Sequence, residues 1–309
     1  MNVLKNRPLS LHLVGLGDVG VTLLTGLKLV GRELSDIGVY DPDENRCKRC
    51  EMEFNQVLAL EDAQMLPQVR HIAYEDVFDC DIVVFCASRG VPPLGAQVDV
   101  RMAQLEANKQ ILRAYARTAR QRQFRGLFCQ VADPVDLLAR YVYLESNRTE
   151  DGTFDGAGLA AEQIMGCGLG VMQARAMYMA KEMGIDPGKV RVFGPHGRGL
   201  VAANAVDGDY DETVSAILTQ RVITANLAVR ETGYKPYIAP ALSSGAATIL
   251  RAIRGDWHDA AVPVGDAVYF GCRSRLTSQG RALEKIPNLP PQLAARLQRC
   301  YTELSEVVL

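Results

Sequence analysis

The stretch SLHLVGLGDVG, residues 10–20, decides how the rest of the chain is read, together with the carboxylate of Asp41. Residues 11–14 form a short apolar run of strand length, and Gly15, Gly17 and Gly20 follow it as G-x-G-x-x-G. The next stretch, VTLLTGLKLVG, carries its apolar residues at helical spacing. A second apolar run, residues 37–40, ends in Asp41, about twenty residues beyond the last glycine. Each part has a physical task. Gly15 lets the chain turn tightly off the strand, Gly17 lets backbone N–H groups approach a pyrophosphate, and Gly20 lets helix and strand pack closely. The positive end of the helix dipole then faces the phosphates. Asp41 would accept hydrogen bonds from the adenosine ribose, which favours NAD over a cofactor with a 2′-phosphate. The cofactor-binding candidates are Gly15, Gly17, Asp18, Val19, Gly20 and Asp41, with Ala87 and Val131 at the ends of later strands.

The elements continue in alternation. Residues 42–45 start a helix, residues 69–74 read as a third strand, and residues 81–87 as a fully buried one. A turn-rich loop, SRGVPPLG, precedes a helical pattern over residues 100–123, and residues 126–132 are the next strand. This order predicts an α/β fold: an N-terminal Rossmann doubly wound parallel sheet over residues 1–145, followed by an α+β substrate-binding domain over 146–309. The boundary is set by the polar stretch SNRTEDGTFDG, residues 146–156. Beyond it we expect strands at 163–167, 190–193, 261–264 and 267–270, and helices at 170–183, 211–230 and 241–253. A C-terminal helix buries Leu293, Leu297, Tyr301, Leu304 and Val308.

The chain has 309 residues, an apolar fraction of 48% and a formal charge of −2. The near balance of charge argues against a nucleic-acid partner. Arg113, Arg117 and Arg120, with Arg122 and Arg125 nearby, read as a solvated helix face. Asp18 and Lys28 interrupt the longest apolar stretch, so no membrane span is expected. The first ten residues lack the apolar core of a signal peptide, and the expectation is a cytoplasmic protein. Eight dispersed cysteines read as reduced and mostly buried. Cys47 and Cys50 make a C-x-x-C without the second pair or histidines that a zinc site needs, so no metal is expected.

With these stretches in order, the chain resembles the L-lactate/L-malate dehydrogenase family over nearly its whole length. The resemblance rests on GLGDVG with Asp41, EMEFNQ, DIVVFCAS, and Arg101 seven residues before Asn108. It continues through ADPVD where the family writes NPVD, GCGLGVMQAR, GPHG where it writes GEHG, and YFGC with GRALEKI. It implies hydride transfer between NADH and a small 2-oxo acid, giving the 2-hydroxy acid, in a homodimer or homotetramer. His196 would be the proton donor, Arg175 the clamp on the substrate carboxylate, and Arg101 a cation brought in by a closing loop. The residue types suit these tasks. Histidine transfers protons near neutral pH, and a guanidinium grips a carboxylate with two parallel bonds. A second cation stabilises the developing alkoxide.

Departures from the family pattern bear on function. The aspartate that partners the histidine is replaced by Met172, and the asparagine beside the substrate oxygen by Asp133. Pro195 and Arg198 replace acidic residues on either side of His196. Asp133 has either taken over as the partner of His196, or it repels an anionic substrate. The second case would make the chain an NAD(H)-binding protein with little or no turnover, or a dehydrogenase retuned to an atypical, amine-bearing 2-hydroxy acid. The loop GVPPLGAQVDV carries no cation for a second carboxylate, which favours a monocarboxylate over malate. No site residue is assigned beyond Tyr234.

Overall fold

A parallel strand is covered on both faces, so it is written as an unbroken apolar run. β4 (Ile82–Phe85) is of this kind, and β1 (Leu9–Val14) and β5 (Leu127–Gln130) are mostly so, with His12 and Gln130 as buried polar exceptions. Their side chains alternate between two cores. Val14, Val83, Phe85 and Phe128 pack on one side, and Leu11, Leu13, Ile82, Val84 and Leu127 on the other. The computed structural model describes residues 7–61, 65–89, 100–233 and 239–309, with the side chains at 100, 101, 230 and 239 outside that description.

With β2 (Leu34–Tyr40), β3 (Gln68–His71) and β6 (Ile164–Gly166), these strands form a parallel sheet in the order 3-2-1-4-5-6. The order reverses between β1 and β4, so the carboxyl ends of those two strands open a crevice. The helices of this half are α1 (Asp18–Val30), α2 (Glu44–Phe54), α3 (Val100–Gln121) and α4 (Val135–Ser146). The fold is the α/β, doubly wound one expected from the sequence.

The second half continues the same sheet. β9 (His258–Val264) joins β6 antiparallel through Gly166 and Ala261, and β10 (Val268–Thr277) and β11 (Gly280–Leu283) extend it. A separate two-stranded ladder pairs β7 (Arg191–Phe193) with β8 (Val201–Ala203). It shares a core with α5 (Leu169–Glu182) and α6 (Glu212–Glu231), built from Leu169, Met172, Val192, Leu218 and Val222. α7 (Ala239–Leu242) and α8 (Ser244–Arg254) lie against α1, and α9 (Pro291–Ser305) packs beside β10 and β8.

The structure corrects several expectations. The arginine stripe on α3 is only partly a solvated face, because its members are paired with acids of the next elements. Arg113 and Arg117 each donate through Nε to the buried carboxylate of Glu145 on α4, at 2.9 and 2.7 Å. Arg120 grips Asp155 with two bonds of 2.7 and 2.6 Å, tying the polar 146–156 loop to α3. Residues 69–74 do not form one strand: β3 ends at His71, and Tyr74 begins a turn of 3-10 helix. β8 was not anticipated, and β11 lies in GRALEKI, which only the family resemblance, not the residues themselves, marks as a closing strand. Val308 lies beyond α9 and is 90% exposed, so the buried face of that helix is Leu293, Cys300 and Leu304. Cys47 and Cys50 are buried on α2, and burial pushes both thiols up. Cys47 donates to the backbone oxygen of Asp41, so it serves the turn after β2.

His258, at the start of β9, is buried against two arginines. Its Nδ1 lies 2.9 Å from the Asp256 carbonyl and its Nε2 lies 3.3 Å from an Arg281 nitrogen. Burial first, then the charges of Arg281 and Arg251, push its pKa from 6.5 down to about 4. The unfolded chain therefore takes up a proton that the folded chain refuses, and stability falls as pH drops from 6.5 towards 4. At about 1.4 kcal/mol per pH unit this amounts to about 3 kcal/mol. His258→Gln should remove that share of the acid destabilisation in denaturant titrations across the window, and change little above pH 7.

Candidate active site

The cofactor end is built from the turn after β1. Gly15 has φ +94°, and a Cβ there would stand 2.5 Å from the Ala87 nitrogen, so only glycine lets β1 and β4 end side by side. A Cβ on Gly20 would fall on the Gly15 carbonyl oxygen, which is how closely α1 lies against the turn. At Gly17, the N-cap of α1, the same test finds nothing within 4 Å. Open space thus lies before a helix N-terminus whose first N–H groups have no partner within the helix.

Asp41 follows β2 beside this space. Its Oδ2 accepts from the Leu16 N–H at 2.8 Å and its Oδ1 from the Asp43 N–H at 3.0 Å. Each oxygen keeps a lone pair for a ribose hydroxyl. Arg46, not singled out from the sequence, stands 4.0 Å from the same carboxylate. Val19 and Val131 pack against the core on one face of the sheet and Ala87 against the core on the other. Asp18 opens the first turn of α1. The residues present fit a dinucleotide: close backbone approach, open space at the Gly17 N-cap, and an acid just after the second strand.

The second end lies where β5 and β6 finish. His196 sits in the turn between β7 and β8, and its backbone N–H donates to Asp136 Oδ2 at 2.9 Å. Its Nδ1 is 3.0 Å from the Gly168 carbonyl oxygen. A carbonyl only accepts, so Nδ1 carries the hydrogen and Nε2 is the ring nitrogen left facing Asp133. The ring lies so close that a Cβ on Gly168 would stand 2.7 Å from Nδ1. Asp133 Oδ1 is 3.9 Å from Nε2, within ion-pair reach but beyond a hydrogen bond. Its backbone oxygen accepts from Asn108 Nδ2 at 2.7 Å, and Asn108 Oδ1 accepts from the Arg89 N–H at 3.0 Å. Buried Asn108 therefore braces α3 against the ends of β4 and β5.

Arg175 projects from α5. One terminal nitrogen rests 3.7 Å from the sulfur of Met172, and its buried Nε has no hydrogen-bond partner among the described residues. Burial pushes the guanidinium pKa down, and the charge of Asp133 pushes it back up. The site thus brings together His196, Asp133 and Arg175, with Met172 occupying the space beneath the guanidinium. Arg101 begins α3, but its side chain and residues 90–99 lie outside the described residues. Gly168, Asp136 and Asn108 are the positioning residues that sequence reasoning missed. Asp136 and Asn108 stood within quoted motifs, whereas a backbone carbonyl leaves no mark on a sequence.

Comparisons with known proteins bear on the fold and on the cofactor domain. The family profile for the lactate/malate dehydrogenase NAD-binding domain matches residues 9–154. L-lactate dehydrogenase 2 of Staphylococcus aureus (strain JH9) is 31% identical over 127 residues, which is 40% of this chain and 35% of that protein. The protein of the same name from strain Newman matches equally. The match thus spans about a third of the length of these curated relatives. Two solved structures share the fold across nearly the full chain. A lactate dehydrogenase from a Medee basin deep-sea metagenome library has a TM-score of 0.77 and 19% identity, covering 97% of this chain and 98% of its own. The minor L-lactate dehydrogenase of Enterococcus mundtii has a TM-score of 0.77 and 20% identity, covering 99% and 100%. NAD is the cofactor of the matched domain. Residues 9–154 are thus similar to the NAD-binding domain of lactate/malate dehydrogenases, and the whole chain shares its fold with the two solved lactate dehydrogenase structures.

Proposed function

We propose that the protein is an NAD-dependent 2-hydroxy acid dehydrogenase acting on a small monocarboxylic 2-oxo acid. The observation that carries the reading is Arg175, a guanidinium with a buried, unpartnered Nε beside a histidine whose tautomer is fixed. A buried guanidinium whose one hydrogen-bond contact among the described residues is a thioether, with the Asp133 charge nearby, can still take a ligand carboxylate through two parallel N–H bonds. When bound, NADH supplies the hydride. The chain's own residues hold the acid on Arg175 and deliver a proton from His196 Nε2 to the carbonyl oxygen as it gains charge. Asp133 stabilises the charged imidazole from the Nε2 side, in place of an acid at position 172. Arg101 adds a second cation at the oxygen. Residues 1–145 serve the cofactor and 146–309 the substrate. Without a cation in GVPPLGAQVDV, a second substrate carboxylate would be left unpaired, which is why a monocarboxylate is favoured.

No described helix is long and apolar enough to cross a membrane. The proposed setting is the cytoplasm, and the proposed assembly a homodimer or homotetramer. The exposed Met177 and Tyr178 on α5 and Ile217 and Leu227 on α6 support the latter.

NADH oxidation against pyruvate, 2-oxobutyrate, phenylpyruvate and oxaloacetate, with NADH binding titrated in parallel, tests the reading. Turnover should be found with a monocarboxylate and be weaker with oxaloacetate. Tight NADH binding without turnover on any of them would instead favour a binding protein. Asp133→Asn should lower kcat by about a hundredfold, the scale of a lost acid–base partner. An increase would mean that Asp133 opposes ordinary 2-oxo acids and is suited to an amine-bearing one. Gly168→Ala should displace the His196 ring and lower kcat by about ten- to a hundredfold while NADH affinity holds, since a misplaced proton donor costs rate and leaves cofactor binding alone.

A further inference from the structure

Away from the candidate active site, a cavity of about 480 Å³ opens beside the turn between β9 and β10. Its walls include Tyr143, Glu162, Pro263, Asp266, Arg281 and Leu283, none of which belongs to the NAD or His196 sites. The volume lies in the range of small-molecule sites.

Arg281 reaches this cavity from β11. One terminal nitrogen contacts His258 Nε2 and donates to Ser274 Oγ, both at 3.3 Å, and the other donates to the Glu162 backbone oxygen at 3.4 Å. All three acceptors are neutral, because His258 is held uncharged by the same burial. The Nε is buried without a partner. No carboxylate among the described residues is in ion-pair contact with this guanidinium, and burial pushes its pKa down. A buried charge with no counter-charge is costly, so the group asks for an anion from outside the chain. The cavity is the route by which one arrives.

The wall charges decide what kind of anion. Glu162 and Asp266 are both exposed on the same cavity, so one positive charge faces two negative ones. Inorganic phosphate or a simple carboxylate would meet repulsion from both acids. A molecule bearing an ammonium next to a carboxylate satisfies the two signs at once. Tyr143, Pro263 and Leu283 offer apolar wall for the remainder.

We propose that this cavity binds a small α-amino acid, with its carboxylate on Arg281, its ammonium towards Glu162 and Asp266, and an apolar side chain against Tyr143, Pro263 and Leu283. The site is independent of the dehydrogenase reading, and its test needs no turnover.

Calorimetric titration of the full chain with apolar L-amino acids, propionate and propylamine is the experiment. An amino acid should bind at least tenfold more tightly than propionate or propylamine. Arg281→Met should weaken that binding at least tenfold, as should the pair Glu162→Gln with Asp266→Asn, whose side chains are at the surface. Arg281→Met should also keep or raise the ligand-free Tm, since an unpaired buried cation has been removed. That result separates a lost site from a lost fold. Absence of binding by every amino acid, binding unchanged in Arg281→Met, or propionate binding as tightly as the amino acid would each overturn the proposal.

Discussion

The contact between Gly20 and the carbonyl of Gly15 is the constraint on which the cofactor half depends. With no side chain at residue 20, α1 lies directly on the turn that leaves β1, and its N-terminus is carried to the crevice at the strand-order reversal. The same closeness lets the Leu16 N–H reach the Asp41 carboxylate just after β2. A larger residue at 20 would lift the helix, move its first N–H groups, and release the acid from the turn. Three features that a sequence motif names separately are thus one piece of geometry.

A second tight junction does the same for the other half. At Gly166 a Cβ would stand 2.5 Å from Val135 Cγ1 and 3.0 Å from Ala261 Cβ, so β6, α4 and β9 close on one another there. The chain leaves this junction through Gly168 into α5. The carbonyl that orients His196, the helix carrying Arg175, and Asp136 at the start of α4 all depart from this one point. Asp133 arrives from the end of β5, next in the sheet. Chemistry-bearing groups from distant parts of the chain meet because they hang from the carboxyl ends of adjacent strands.

The legible parts of the sequence were those with strong local patterns. Buried parallel strands are apolar runs, and the glycine turn with its distant acid is a spaced motif. β8 escaped because Val-Ala-Ala offers a single β-branched side chain, and β11, Gly-Arg-Ala-Leu, offers none and stays half-buried, so from the residues alone neither stands out as the equally short β6 and β7 do. The arginines of α3 were misread for a different reason. Their partners, Glu145 and Asp155, lie beyond an intervening strand, and helical spacing alone does not tell a solvated stripe from a paired one. His196 and Arg175 are singled out by their motifs, and the structure places them near one another, but the oxygen that fixes the ring is a glycine's backbone, which no residue type announces.

That oxygen also explains how an aspartate can be absent from position 172. Holding a histidine requires an acceptor at Nδ1, and the Gly168 carbonyl supplies one at 3.0 Å. Orientation is kept, whereas charge stabilisation is given up. A hydrogen bond to a neutral acceptor contributes about 1 kcal/mol, against about 1.5–3 kcal/mol where a charged group is involved. The charge reappears on the opposite edge of the ring, at Asp133, 3.9 Å from Nε2. Moving the acid from behind the ring to its front changes its work. Behind the ring it would stabilise imidazolium without contacting substrate, but in front it shares the space that the proposed function gives to the substrate oxygen. The extra separation then has a use. At hydrogen-bond distance Asp133 would hold the Nε2 proton for itself, while at ion-pair distance it favours the charged ring and leaves that proton free to move to a nearer acceptor.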